Sequence, residues 1–374
     1  MSRSEIERIA APSREVFLRD YVNQQRPVVI TNLFEGQPLR DISTAEDAKA
    51  RLGDMKLQVS DEYVSAFLKR INEVSGDKGT RHLPDEKEIM TLKEYLEWGE
   101  RDSDAKKIAT GVDQPQLSAN RTLDYSTAPE LMAMCQLPDY CKKTSEYSDL
   151  VTQIFAANAG NFAHLHFDGD QRQLFLYEVF GTKRFILIPP RSAKKLNPVG
   201  GQSTFFLENM SEAEKQKFIE YTEGRECVLQ PGETLFVPSL SWHYVEYLDA
   251  ALSLSMRFGR NKYTHFLATK MHVDMYVQNV SAKMVDEAVV ERQYLDVFRE
   301  IEDAYYKSYE SKMEKYKRMN ELFQDIYSRI CTDAVQGLYS FTNFESLLHS
   351  LVLFKLDTTP LYDLNENRLY ETAR

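Results

Sequence analysis

The chain has 374 residues, 43% hydrophobic and 28% charged, with a formal net charge of −11. That length allows more than one domain and a sizeable core. The acidic balance disfavours a nucleic-acid or anionic-membrane partner, which would require a basic face, but is compatible with a basic peptide or an arginine- or lysine-containing substrate.

The opening residues Met1-Ser2-Arg3-Ser4-Glu5 are polar and charged, so no secretory signal is expected, and no run approaches 18 apolar residues, so no membrane span is expected. Four sparse cysteines without CxxC spacing (Cys135, Cys141, Cys227, Cys331) read as reduced thiols of a cytoplasmic protein. Pro12 to Asp20 predicts a short amphipathic helix with Ser13 as N-cap, and the β-branched run Pro27 to Thr31 a buried strand. A helix over Ala45 to Leu52 should stop at Gly53, followed by an alternating strand over Lys56 to Ser60. Glu73 to Arg81 reads as a surface loop. Thr91-Leu-Lys-Glu94 has the form of a capping box opening a helix through Trp98. Arg101 to Thr127 has weak periodicity and reads mostly as loop.

From Val151 the pattern changes to short strands separated by glycine and proline turns: Val151 to Ala157, His164 to Asp168, Gln173 to Phe180, Lys183 to Pro189, Val228-Leu229, Thr234 to Pro238, Trp242 to Tyr247 and Ala251 to Phe258. Such density without a βαβ rhythm predicts an antiparallel jelly roll. After about Arg260 the strands stop. Ser281 to Cys331 lacks proline and glycine and places Tyr294, Phe298, Ile301 and Tyr305, then Tyr316, Phe323, Ile326 and Ile330, at helical spacing, as either one extended helix or two with a tight joint. The expected class is therefore mainly β with α: N-terminal α/β elements, a roll at about 150–260, and a helical region over 266–374. The first two form one domain over 1–265. The helices serve either to form a homodimer or to cover the back of the β-domain.

His166 and Asp168 lie two positions apart, on one face of the predicted strand, and His243 recurs 77 positions later. Two imidazoles and one carboxylate can hold one face of an octahedral metal and leave three positions open, as in non-haem Fe(II) sites. A lone His-x-Asp also occurs on solvated strand edges, but the flanking turns and the tight turn at Gly232 that delivers Trp242-His243 favour a metal site. His164 shares the face of His166 and is a further candidate. His82, His265, His272 and His349 read as structural or surface residues.

His166-Phe-Asp168, Gly181-Thr-Lys183-Arg-Phe-Ile-Leu-Ile-Pro189-Pro190, Gly232-Glu-Thr-Leu-Phe-Val-Pro238 and Trp242-His243, with the opening strand Arg26 to Thr31, resemble the JmjC/cupin-8 family of Fe(II)- and 2-oxoglutarate-dependent oxygenases. They are closest to its asparaginyl-hydroxylase (factor inhibiting HIF-like) branch, and the resemblance covers roughly residues 10–265. It implies a double-stranded β-helix (cupin/JmjC jelly roll) with Fe(II) on His166, Asp168 and His243. It also implies 2-oxoglutarate and O2 as co-substrates, with Lys183 on the distal carboxylate of 2-oxoglutarate. A lysine inside a barrel needs such an anion. Arg184, next door, should point outward.

The sequence departs from the family where Ala163 replaces a frequent hydroxyl residue, and where the Asp168–Gly181 segment is about two residues longer. That leaves Gln173 or Leu174 at a position usually held by asparagine, and Gln173 is the chemically sensible one. Ser253, Ser255 and Arg257 share a strand face. Ser255 matches a co-substrate position, and Arg257 is a rival carboxylate anchor. The implied reaction hydroxylates an unactivated C–H bond of an amino-acid side chain in a peptide or protein, releasing succinate and CO2. The alternatives are the same chemistry on a free amino acid or small biosynthetic metabolite, and a cupin-like metal-binding or interaction protein without turnover. Lysine demethylation is disfavoured because no chromatin-reading module or zinc finger is legible.

Overall fold

The computed structural model describes residues 4–60, 88–101, 108–111, 125–126, 129–141, 147, 150–199, 201–271 and 273–335. Strands β1 (Arg8–Ile9), β2 (Val28–Ile30), β3 (Lys56–Ser60), β4 (Glu88–Thr91), β5 (Ile108–Gly111) and β6 (Tyr125–Ser126) come first in the chain. They are followed by β7 (Val151–Ala157), β8 (Phe162–His166), β9 (Gln173–Phe180) and β10 (Lys183–Ile188). The short pair β11 (Pro198–Val199) and β12 (Gln202–Ser203) precedes β13 (Arg225–Leu229), β14 (Thr234–Val237), β15 (Trp242–Tyr247) and β16 (Ala251–Phe258).

Two sheets result. The larger runs β1-β2-β14-β9-β16-β7-β5-β3-β4, with β6 beside β7, and the smaller runs β11-β12-β8-β15-β10-β13. Strands β7 to β10 and β13 to β16 alternate between the sheets in antiparallel pairs, which is the double-stranded β-helix expected from the turn spacing. Side-chain alternation then divides the core into layers. Leu174, Leu176, Phe185, Leu187, Leu235 and Val245 fill the space between the sheets. Phe175, Tyr177, Phe236, Leu254 and Met256 face the N-terminal layer. Ile186, Ile188, Trp242 and Tyr244 pack outward under Phe218 and Ile219.

The N-terminal elements follow local rules. Ser13 caps Arg14–Phe17 by accepting from Val16 N–H, and the helix continues as a wider turn over Leu18–Val22. The Thr44–Asp47 box opens Ala45–Leu52, and Thr91 and Glu94 exchange bonds at the start of Leu92–Arg101. Gly53 ends its helix in the ordinary right-handed conformation, not the left-handed one that a glycine stop suggests.

Two expectations change, and one open choice is decided. The strand predicted over His164 to Asp168 is Phe162–His166, because Phe167 N–H turns aside to Gly201 carbonyl. Asp168 therefore sits just past the ladder. The β10–β13 connection contains an unforeseen helix, Glu212–Thr222, opened by a Ser211–Glu214 capping box. Ser281 to Cys331 is interrupted: the helix Met275–Ala282 ends early in that stretch, and Leu295–Tyr306 and Lys312–Ile330 are separate, the last capped by Ser311. Of one extended helix or two with a tight joint, the second holds: Ser311 accepts from Glu314 N–H and opens a new helix. Within Arg101 to Thr127 the described residues include β5 and β6, while the Glu73–Arg81 loop and His82, His272 and His349 lie outside the described residues. No helix among the described residues is long and apolar enough to cross a membrane.

Candidate metal centre

His166 closes β8 and His243 begins β15, and the two are direct cross-strand partners. Their ring centroids are 4.2 Å apart. Asp168 projects from the turn after β8 into the same space: His166 Nε2 lies 3.9 Å from its Oδ1 and His243 Nε2 3.9 Å from its Oδ2. Such gaps are too long for hydrogen bonds, yet two metal–ligand bonds of about 2.1 Å each would bridge one of them. All three donor atoms lie within 4.8 Å of one another.

The backbone fixes which nitrogen faces inward. His166 Nδ1 lies 2.6 Å from the carbonyl of His164, and His243 Nδ1 lies 3.1 Å from the carbonyl of Ser241. A carbonyl only accepts, so each Nδ1 carries the proton and each Nε2 presents a lone pair to the centre. Burial, reinforced by the neighbouring His243, pushes the His166 imidazole down to about 3, so it stays neutral and able to ligate. Burial works against the Asp168 carboxylate, but the Arg257 guanidinium and the two imidazoles hold its pKa well below the usual range. Arg257 reaches it directly, Nη2 to Oδ2 at 3.0 Å, and spans to Asp170 with Nη1 at 3.2 Å. Side-chain exposures of 20%, 22% and 9% for His166, Asp168 and His243 put the donor set at a wall that solvent reaches from one side.

His164 does not join the set. A register shift in the β8–β15 ladder separates it from the face of His166, and its Nε2 donates to Ser203 carbonyl at 2.6 Å beside the Phe206 ring. His265 lies on the helix Lys262–Lys270 next to Tyr147, in the structural role expected of it.

Lys183 is deep between the sheets, 1% exposed. Its ammonium donates to Ser253 Oγ, lies 3.8 Å from Glu178 Oε1, and sits 4.3 Å from the centroid of the Tyr247 ring. Ser253 Oγ donates in turn to Glu178 Oε2 at 2.9 Å. The anion that a buried lysine requires is thus supplied within the chain, by Glu178. Ser253, Ser255 and Arg257 line the inner face of β16 as their spacing predicts, with Ser253 at Lys183 and Arg257 at Asp168. Ser255 lies between them, fully buried, and its hydroxyl has no hydrogen-bond partner among the described residues.

Gln173 is placed differently from the expectation. On β9 the inward residues are Leu174 and Leu176, so Gln173 shares the outward face of Phe175 and Tyr177, and its amide oxygen accepts from Ser239 N–H at 2.9 Å. Arg184 does point outward, bound to Glu226 and Glu212. Sequence reasoning missed Glu178, although a single acid in the otherwise apolar strand Gln-Leu-Phe-Leu-Tyr-Glu-Val-Phe, five residues before a buried lysine, was a signal.

These residues fit both groups of the chemistry that the three donors suggest. The donor set suits a divalent iron, with two imidazole nitrogens and one ionised carboxylate. The buried ammonium of Lys183 and the unpartnered hydroxyl of Ser255 suit a carboxylate.

Comparison with known proteins agrees with this arrangement. The family profile described as Cupin-like domain matches residues 13–265. The chain is 26% identical over 263 residues to lysine-specific demethylase 8 of Danio rerio, covering 67% of this chain and 57% of that protein. It is 28% identical over 258 residues to lysine-specific demethylase JMJ30 of Arabidopsis thaliana, covering 67% and 54%. It is also 27% identical over 254 residues to tRNA wybutosine-synthesizing protein 5 of Danio rerio, covering 66% and 70%. The match spans little more than half the length of the two demethylases.

Proposed function

The chain belongs to the Cupin-like domain family, whose JmjC oxygenases use Fe(II), 2-oxoglutarate and O2, and on that premise we propose that it hydroxylates an unactivated C–H bond of an amino-acid side chain in a peptide or protein. The observation that carries this reading is the convergence of His166 Nε2, His243 Nε2 and the Asp168 carboxylate, each oriented by a partner on its far side. Within the family we favour the asparaginyl-hydroxylase type, on the Gly181-Thr-Lys183 segment and the motifs around it.

When bound, Fe(II) and 2-oxoglutarate would supply the oxidation, with the co-substrate leaving as succinate and CO2 and one oxygen atom of O2 entering the substrate C–H bond. His166, Asp168 and His243 would hold the metal from one face. The carbonyls of His164 and Ser241 keep both rings in the ligating tautomer, and Arg257 keeps Asp168 ionised. Lys183 and Ser255 would receive the distal carboxylate, and Phe155, Leu176, Phe185 and Val245 keep water from the space between the sheets. Arg257, tied to Asp168, is assigned to the metal side and not to the co-substrate anchor. Gln173, facing away, has no part in this set.

The free thiols of Cys135, Cys141, Cys227 and Cys331 support a reducing, cytoplasmic setting. The strongly exposed Tyr306, Met313 and Tyr316 of the C-terminal helices support a homodimer, to be checked by light scattering of wild type and Tyr316→Glu.

The test is succinate release by purified protein with Fe(II) and 2-oxoglutarate, with and without candidate substrates. A peptide that stimulates succinate and gains one oxygen atom in mass supports the reading. Formaldehyde with loss of a methyl group would make the chain a demethylase. Stimulation by free amino acids or by tRNA alone would move the substrate class, and no stimulation by any of these would favour a metal-binding protein without turnover.

A further inference from the structure

Glu178 and Lys183 face each other across the β9–β10 connection, where the chain passes from the larger sheet to the smaller. Its turn is held by Gly181 at φ +77°, where a Cβ would fall 2.3 Å from Ala250 carbonyl, so the backbone of β16 fixes how the two residues meet. Both are buried, at 0% and 1% exposure. Their surroundings are Ser253 from β16, the Tyr247 ring from β15 and Phe155 carbonyl from β7. The Tyr177 hydroxyl lies on the opposite face of β9, with the N-terminal layer. Among the described residues, the only charge that bears on Glu178 is Lys183, and the only one that bears on Lys183 is Glu178. The pair is neutral as a unit.

A dicarboxylate entering this space brings a second negative group to one ammonium. Two carboxylates and one ammonium leave an uncompensated charge between dry sheets, which is costly unless one acid becomes neutral. Glu178 is the acid that can do so, because its Oε2 keeps Ser253 as a partner while its Oε1, which has no hydrogen bond among the described residues, can take the proton.

We propose that Glu178 is a positioning residue for the co-substrate: it serves as counter-charge to Lys183 in the empty barrel and accepts one proton from solvent when the distal carboxylate takes its place at the ammonium. The inference rests on the reading of Lys183 as the anchor of 2-oxoglutarate. No bond to carbon changes. One proton moves from water to a Glu178 carboxylate oxygen, and the neutral acid then donates a hydrogen bond towards the incoming carboxylate. Burial raises Glu178 and lowers Lys183, each opposed by the other's charge, so proton gain at Glu178 is within reach.

The experiment uses the full chain loaded with Mn(II) in place of Fe(II). Infrared difference spectra are recorded as a pH series from about 7 to 9, because only a state with Glu178 ionised and Lys183 protonated can show the proton gain. Addition of 2-oxoglutarate should bring up a carboxylic-acid C=O band in wild type and none in Glu178→Gln, which carries the neutral shape permanently. Calorimetry should find Glu178→Gln binding 2-oxoglutarate no more weakly than wild type, because no proton has to be supplied. Absence of the band in wild type, its persistence in Glu178→Gln, or a tenfold loss of affinity in a Glu178→Gln protein that melts like wild type would each overturn the proposal. Lys183→Met separates the two levels. Unchanged 2-oxoglutarate affinity there would remove the anchor reading itself. A loss of about ten- to a hundredfold, expected for a lost charge-assisted contact, combined with a missing band would remove only the role of Glu178.

Discussion

Asp168 is held by opposing influences. Burial favours its neutral form, while Arg257 at 3.0 Å and the two imidazoles favour the carboxylate, and the charges prevail. Replacing Arg257 with alanine removes the nearest cation and frees Asp168 to rotate. The expected result is a fall in Mn(II) affinity of about ten- to a hundredfold, the usual effect of losing a group that orients a ligand. Calorimetric titration would show it, and an affinity within twofold of wild type would mean that the imidazoles alone hold the acid in place.

At the level of elements, the helix Met275–Ala282 reaches into the roll. Gln278 Nε2 donates to Leu240 carbonyl at 2.7 Å, and its Oε1 accepts from Trp242 Nε1 at 3.2 Å, so one amide braces the segment that delivers His243. Gln278→Leu would leave a buried carbonyl and a buried indole N–H unpaired, at a cost of about 1–3 kcal/mol each. Urea denaturation should show that loss, and a change below about 0.5 kcal/mol would count against the brace. None of this was legible beforehand, because side-chain bonds between distant elements leave no periodic trace. The roll itself was legible, since glycine and proline turns separate its strands and alternation follows from the pleat. His166, Asp168 and His243 were legible for the same reason. Glu178 and the tilt of Arg257 towards Asp168 were not, because each depends on which strands become neighbours. The outward placement of Gln173 turns on a single step of register, which a two-residue uncertainty in a loop is enough to blur. The pattern left one long helix or two with a joint open, and Ser311, which caps Lys312–Ile330, decides for two.

At the scale of the molecule, the two sheets contribute different parts of the site. The smaller supplies the imidazoles and Lys183, while the larger supplies Glu178, Ser255 and Arg257. A metal bound only by the folded site stabilises the fold, and occupancy at a hundred times the dissociation constant adds about 2.7 kcal/mol to the folded state. Mn(II) is therefore expected to raise the melting temperature of wild type, EDTA to reverse the gain, and Asp168→Ala to show neither effect in thermal denaturation. A shift that survived in Asp168→Ala would place the ion elsewhere. The imidazole orientation has a separate consequence. Each ring is steadied by a carbonyl two residues earlier in its own chain segment, His164 for one and Ser241 for the other. The orientation of the two imidazoles is thereby tied to the backbone, so selection can reshape what the cavity accepts while their geometry is inherited intact.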